Sequence, residues 1–356
     1  MASRLGTVLV TGGAGFIGCA LSSVLAEQAD RWIAVDNLHP QVHPRRARPK
    51  ALAPKAELVV ADVTQASTWD EVLADARPDI VVHLAAETGT AQSLHEASRH
   101  ALVNVAGTTE LLDGLGRASH VPSHVVLSSS RAVYGEGEWL KVDGSSVYPG
   151  QRSHAQLEAA QWDFPDAQAL PASAARTQPS PTSVYGATKL AQEHVLAAWA
   201  GAHDIPLSIL RLQNVYGAGQ SLSNPYTGIV SMFSLWAREG RSIPIYEDGS
   251  ITRDFVYIDD VAAALAAAIT RQPAPNAVRK VDIGSGVGST ILELAEHIAD
   301  YYGAPAPHIN GKYRDGDIRF ASCDISAAER ELDWRPQVSL ARGIAALQDW
   351  IANQDV

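Results

Sequence analysis

The stretch "TVLVTGGAGFIG", residues 7–18, constrains this chain more than any other. A short apolar run stops at Gly12, and a helical pattern begins at Phe16 and Ile17. Gly12, Gly15 and Gly18 therefore fall in the turn joining a first strand to a first helix. Glycine there lets the backbone turn tightly, approach a pyrophosphate, and pack helix against strand. The helix N-terminus, at Phe16 and Ile17, then offers free N–H groups and positive dipole to phosphates. Asp36 ends the second strand, 24 residues after Gly12. A carboxylate there accepts hydrogen bonds from ribose hydroxyls and repels a 2′-phosphate, so NAD is expected rather than NADP. Arg45, Arg46 and Arg48 read as a solvated loop. Asp62, after "ELVVA", sits where an adenine edge can be read.

The first 130 residues keep this rhythm. Further short Val/Ile-rich runs, "WIAVDN", "ELVVADV", "DIVVHLAA" and "HVVLSSS", lack polar alternation, as strands buried on both faces do. Ile17, Leu21, Val24 and Gln28 mark the first helix, with its first three positions facing inward. The fold class is α/β, a Rossmann-type doubly wound parallel sheet with right-handed crossovers. A sixth strand is expected at "LSILRLQNV". The rhythm lapses between residues 136 and 178, a proline-rich insertion holding Trp139 and Trp162. A connection this long points to a lid or a subunit contact, with the tryptophans in a small core of its own. Residues 1–218, with roughly 252–284, form the dinucleotide domain. Residues 219–251 and 285–356 form a smaller substrate domain over the carboxyl ends of the strands, where ligands of open α/β sheets bind.

Composition narrows the partners. A net charge of −11 argues against nucleic acid and anionic membrane, so anionic ligands must be met by local arginines. Cys19 and Cys323, the only cysteines, suit a reducing compartment. No apolar run approaches the roughly 18 residues that span a bilayer, and no signal segment precedes the first strand; a cytoplasmic location is expected. His39 and His43 are flanked by Pro40 and Pro44, which spoil a helical metal face. No metal is expected.

The tripeptide Val-Tyr-Gly occurs at Tyr134, Tyr185 and Tyr216. Only Tyr185 has a lysine one helical turn on, Lys189, with Thr182 or Ser183 available as cap. A phenol with an ordinary pKa of about 10 is a poor base; an adjacent ammonium favours the phenolate. Bringing it near neutrality takes about 4 kcal/mol of differential interaction. Ser130 closes the strand before Tyr134 and is placed to hydrogen-bond a substrate oxygen beside Tyr185. Asn214, in "RLQNVYG", is placed to donate to a phosphate or sugar group.

With these residues in view the chain resembles the extended short-chain dehydrogenase/reductase family, in its nucleotide-sugar epimerase and dehydratase branch. The resemblance runs nearly end to end through "VTGGAGFIG", "ADVT", "HLAA", "NVAGTTEL", "SSSRAVYG", "YGATK", "RLQNVYGAGQ", "RDFVYIDDVAAAL" and "RDGDIRFASCDISAAERELDWRP". It implies Ser130, Tyr185 and Lys189 as catalytic triad. Tyr185 moves the hydroxyl proton, Lys189 holds the nicotinamide ribose and acidifies the tyrosine, and Ser130 orients the reacting oxygen. It also implies that Asn37, Asp62, Val63, Leu84, Ala85, Ala86 and Asn104 join the glycine loop around NAD. Arg131, Asn214, Arg253, Arg314 and Asp317 would hold a nucleotide-diphosphate sugar, with Thr88, Thr90 and Ser93 facing the sugar. In "RDGD" Asp315 stands where the family has proline. The family's dehydratases carry an acidic pair after the catalytic serine or threonine; Arg131 and Ala132 stand here, which favours 4-epimerisation through a 4-keto sugar. Further motifs, including "AETGTAQS" and "QSLSNPYTGIV", are similar to those of dTDP-L-rhamnose 4-epimerase-like proteins, which interconvert dTDP-L-rhamnose and dTDP-6-deoxy-L-talose. A dTDP-deoxysugar 4-ketoreductase, a UDP-sugar 4-epimerase and a non-catalytic NAD-sensing protein are the alternatives. The resemblance implies a homodimer paired through the helix of Tyr185.

Overall fold

A computed structural model describes residues 4–222 and 228–354; the 223–227 part of the "QSLSNPYTGIV" motif lies outside them. The first five strands of the large sheet are β1 (Thr7–Thr11), β2 (Arg31–Asp36), β3 (Glu57–Val60), β4 (Ile80–His83) and β5 (His124–Ser130). Two more follow much later, β6 (Leu207–Leu212) and β7 (Val278–Ile283). All pair in parallel, in the order β7-β6-β5-β4-β1-β2-β3. The order reverses at β1 and β4, so a crevice opens beyond their carboxyl ends.

Helices cover both faces. On one, α1 (Phe16–Leu25) and the apolar helix Ile258–Thr270 close over Val8, Val10, Val82 and Leu210. On the other, α2 (Ala66–Asp75), α3 (Gly107–Arg117) and α4 (Val184–Ala202) bury Leu9, Trp69, Leu111, Leu127 and Leu196. Central strands buried on both faces explain the missing polar alternation. The edge strand β3 departs from that expectation, with Val60 exposed, because no strand lies beyond it. In α1 the buried stripe is Gly18, Leu21, Ser22 and Leu25, and Val24 faces solvent. Packing follows the real helical pitch, which carries position 24 off the inward face.

The expected sixth strand divides. β6 ends at Leu212, and Asn214–Tyr216 starts a second sheet with Thr252–Tyr257 and Gly288–Thr290, joined by Phe320–Ala321. By strand pairing the chain therefore returns to the large layer at Ile258, not Thr252. This second sheet lies over a separate core of Phe233, Ile245, Phe255, Leu294, Ile298 and Leu347. The insertion forms a three-stranded sheet of its own, with Trp139–Lys141 between Ser146–Val147 and Ala167–Ala169. Trp139 packs edge-on against Phe164, as a small local core requires.

Candidate active site

The glycine loop is shaped as a cradle. Gly12 adopts φ +64°, and a Cβ on it would lie 2.7 Å from the amide of Ala85. A Cβ on Gly18 would lie 2.6 Å from the carbonyl of Gly13, so the first helix could not seat against the turn. No side chain caps α1 and no acid occupies its first turn, which leaves its N-terminal amides and dipole uncompensated. Asp36 accepts hydrogen bonds from the amides of Ala14 (3.1 Å) and Leu38 (2.9 Å), tying the loop to the end of β2. Asn37 donates to Asp62 at 3.3 Å. Burial pushes the Asp62 carboxyl up, but hydrogen bonds from Thr64 and Asn37 outweigh it and hold the group below its usual range. Val63 is buried beside Gly107. Leu84 and Ala85 give their amides to the Thr11 hydroxyl at 3.2 and 3.1 Å, and Ala86 follows half-buried.

Asn104, expected beside the cofactor, is held within the protein. It is fully buried in a π-helical turn, Leu102–Ala106, and its amide donates to the Glu87 carbonyl (3.0 Å) and the Thr188 hydroxyl (2.9 Å). Both side-chain donors are spent within the protein, so Asn104 braces the loop after β4 against α4.

Ser130 ends β5 and accepts from the amide of Ala132 at 3.2 Å. Ser183 caps α4 by accepting from the amide of Gly186 at 3.0 Å. The start of that helix presses on the turn after Ser130: a Cβ on Gly186 would stand 2.4 Å from the Ala132 carbonyl oxygen. This close approach puts Tyr185 against Ser130. Gly186→Ala is expected to cost about 1–3 kcal/mol through overpacking and to lower kcat by parting the two hydroxyls. A thermal melt indistinguishable from the parent's would show that the contact is slack.

The surrounding protein pushes the Tyr185 phenol above its usual pKa; a hydrogen bond with Ser130 and the charge of Arg131 oppose the rise. Lys189 is buried and donates to the Gln192 side chain. Gln192 in turn donates to Thr108 (2.9 Å) and meets His83 Nε2 (3.2 Å), and His83 Nδ1 meets Thr11 (2.7 Å). The lysine is thus wired through the sheet end to the residue beneath the glycine loop. Burial pushes Lys189 down to about 7, with Glu193 partly opposing, and pushes His83 down to about 3. His83 is therefore a neutral link in this chain. Sequence reading missed Gln192, whose signal was its place three residues after Lys189, and His100, whose ring packs edge-on to Tyr185 at 6.4 Å.

The other two tyrosines have structural partners. Tyr134 is buried and donates to Asp282 at 2.8 Å, and Tyr216 donates to the Leu340 carbonyl at 3.3 Å. Burial raises both phenols well above their usual value.

Beside Tyr185 the polar residues gather. Arg131 donates to Asn214 at 3.3 Å, and Arg253 donates to Asp317 at 2.7 Å. Desolvation and the nearby Arg253 push Arg131 down to about 9, against the pull of Asp317 and Tyr185. Arg314 is exposed at the rim, 5.1 Å over the ring of Tyr246. Thr88 and Thr90 are exposed after β4. Ser93 is not: it is fully buried and donates to the Thr90 carbonyl at 2.7 Å, so its hydroxyl stiffens its own turn.

The insertion is latched to the second lobe by buried charge. Arg152 donates to Glu247 (2.8 and 2.9 Å) and to the Asp317 carbonyl (2.9 Å). Arg319 joins Asp163 of the insertion to Glu247 and Asp248, and Glu136 accepts the Arg319 amide. Asp315, the departure from the family's proline, meets His154 of the insertion at 3.0 Å.

Comparisons with known proteins follow the same outline. The sequence model of the NAD dependent epimerase/dehydratase family matches residues 8–284. The dTDP-L-rhamnose 4-epimerase of Burkholderia thailandensis is 62% identical over 347 residues, covering 98% of this chain and 95% of that protein. The UDP-glucose 4-epimerase of Mycolicibacterium smegmatis is 32% identical over 97% of this chain and 98% of its own length. Among solved structures, the UDP-glucose 4-epimerase of Thermotoga maritima with UDP-glucose superposes with a TM-score of 0.78 at 27% identity. That match covers 97% of this chain and 98% of that one.

Proposed function

Because the chain belongs to the NAD-dependent epimerase/dehydratase family, we propose that it inverts C4 of a dTDP-linked 6-deoxyhexose, interconverting dTDP-L-rhamnose and dTDP-6-deoxy-L-talose. The observation that carries this reading is the pairing of Ser130 with Tyr185 beside Arg131, with no carboxylate in the two positions after the serine. A dehydratase needs an acid there; a 4-epimerase does not. The 62% identical relative supports the sugar and the nucleotide.

The cofactor fits the residues present. The glycine cradle leaves room for a pyrophosphate, the open amides of α1 at Phe16 and Ile17 bind it, and Asp36 receives ribose hydroxyls. Bound NAD supplies the hydride acceptor, and then the donor, at C4. Tyr185 takes the proton of the C4 hydroxyl and later returns it, with Ser130 fixing the oxygen. Lys189, held by Gln192, secures the nicotinamide ribose. Arg131 lowers the cost of the phenolate, as a positive neighbour must. Arg253, Asn214 and Arg314 take the diphosphate, where guanidinium forks suit phosphate oxygens. Asp317 keeps Arg253 aimed. Thr88 and Thr90 edge the sugar. The keto sugar turns between the two hydride transfers, so the site must bind its nucleotide firmly and its hexose loosely.

The test is incubation with dTDP-L-rhamnose, read by NMR for C4 inversion without added cofactor. Stoichiometric NAD released on denaturation is expected. A site that fills only with NADPH would point to a 4-ketoreductase and sink the epimerase. Asp36→Ala is expected to weaken NAD retention about tenfold or more, the worth of a charged hydrogen bond, and to narrow the preference over NADP. Equal retention in parent and variant would remove Asp36 from the cofactor site. We assign a cytoplasmic location, in keeping with the absence, among the described residues, of a helix long and apolar enough to cross a membrane. Pairing of two chains is part of the same reading, supported by the exposed Leu94 and Leu102 on the segments packed against α4. Light scattering at a monomer mass would overturn the pairing.

A further inference from the structure

Gln213 directly follows β6, and its backbone amide donates to Ile283 at 2.9 Å. Its side chain is 5% exposed, yet neither Nε2 nor Oε1 has a hydrogen-bond partner. A buried amide left unpaired is costly, and each such group needs a physical account. The polar neighbours are engaged elsewhere. Arg131 bonds Asn214, Asp254 takes the amides of Ser285 and Gly286, and Glu136 takes the Arg319 amide. Gln213 lines a cavity of about 10 Å³, with Arg131, Glu136, Leu170, Ala172 and Phe320 among its other walls. That is room for one small polar group.

The cavity adjoins the reaction centre. In the large sheet Leu212 pairs with Ser130, so the residues that follow, Gln213 and Arg131, flank each other at the strand ends. Arg131 also acts on Tyr185. We infer that Gln213 is a specificity-determining residue that grips one non-reacting ring hydroxyl of the hexose, at C2 or C3. A hydroxyl is the small group that donates and accepts at once, and the free carboxamide offers both counterparts. This inference rests on the proposed sugar-nucleotide reading and adds the residue that discriminates between sugars.

Calorimetric titration of parent and Gln213→Leu with dTDP, dTDP-L-rhamnose and its 2-deoxy and 3-deoxy analogues tests it. The variant is expected to bind dTDP as the parent does and dTDP-L-rhamnose about tenfold to a hundredfold more weakly, with an unchanged or higher melting temperature. One deoxy analogue should bind the parent as weakly as the variant, and the variant should no longer distinguish it. Equal affinity of both proteins for dTDP-L-rhamnose overturns the assignment. So does a parallel loss of dTDP binding and melting temperature, which would make Gln213 the holder of a structural water. Turnover is read separately by NMR: a parent that shows the sugar-dependent binding difference without inverting C4 would sink the epimerase and leave Gln213 in place.

Discussion

Tyr185→Phe is expected to lower kcat by about 10²–10⁴-fold, the usual worth of a positioned general acid–base, with little change in melting temperature. The phenol is the group that Ser130 and Arg131 both address, and its hydroxyl is the one polar atom phenylalanine lacks. The ring's packing against His100 survives the change. KM for dTDP-L-rhamnose should move far less than kcat, because the proposed diphosphate contacts of Arg253, Arg314 and Asn214 do not involve the phenol. Tyr134→Phe and Tyr216→Phe should spare kcat, since those hydroxyls bond Asp282 and the Leu340 carbonyl. A Tyr185→Phe protein within tenfold of the parent would transfer the proton chemistry to another group.

Arg152→Ala is expected to destabilise the protein by about 3–5 kcal/mol, the cost of breaking a buried charge pair and leaving Glu247 with Arg319 on one oxygen alone. The Arg152 side chain is wholly buried and carries both oxygens of an equally buried Glu247. It also fixes the Asp317 carbonyl, behind the carboxylate that aims Arg253. The melting temperature should fall on the order of 10 °C, and KM should rise more than kcat falls. The double variant Arg152→Met/Glu247→Leu should regain part of the stability, because removing both charges also removes the stranded one. A single variant less than about 1 kcal/mol below the parent would mean the latch is solvated and slack.

Much of the centre was legible in the chain because its signals are local. The glycine spacing and the carboxylate at the end of β2 each act within one turn or one strand end. Residues whose role depends on a distant partner were read less well. Asn104 and Ser93 look available in sequence, and both spend their polar atoms on neighbouring backbone or on Thr188. Val24 fits a coarse helical pattern and still faces solvent. The insertion read as a lid or subunit contact, but its arginine and acids meet counterparts near residues 247 and 319, which no spacing rule connects.

By itself, then, the sequence determined that a dinucleotide-binding α/β sheet would form and singled out Tyr185, of three tyrosines, as the one with a lysine a helical turn on. Backbone sterics at glycine and helical periodicity are properties of a few consecutive residues. Only the tertiary structure decided what acts on that tyrosine. Lys189 turned to Gln192, Arg131 came to the phenol, and Gln213 was left buried with its amide unspent. Those outcomes depend on which side chains share an interior, where desolvation and neighbouring charge set every pKa and every unmet hydrogen bond.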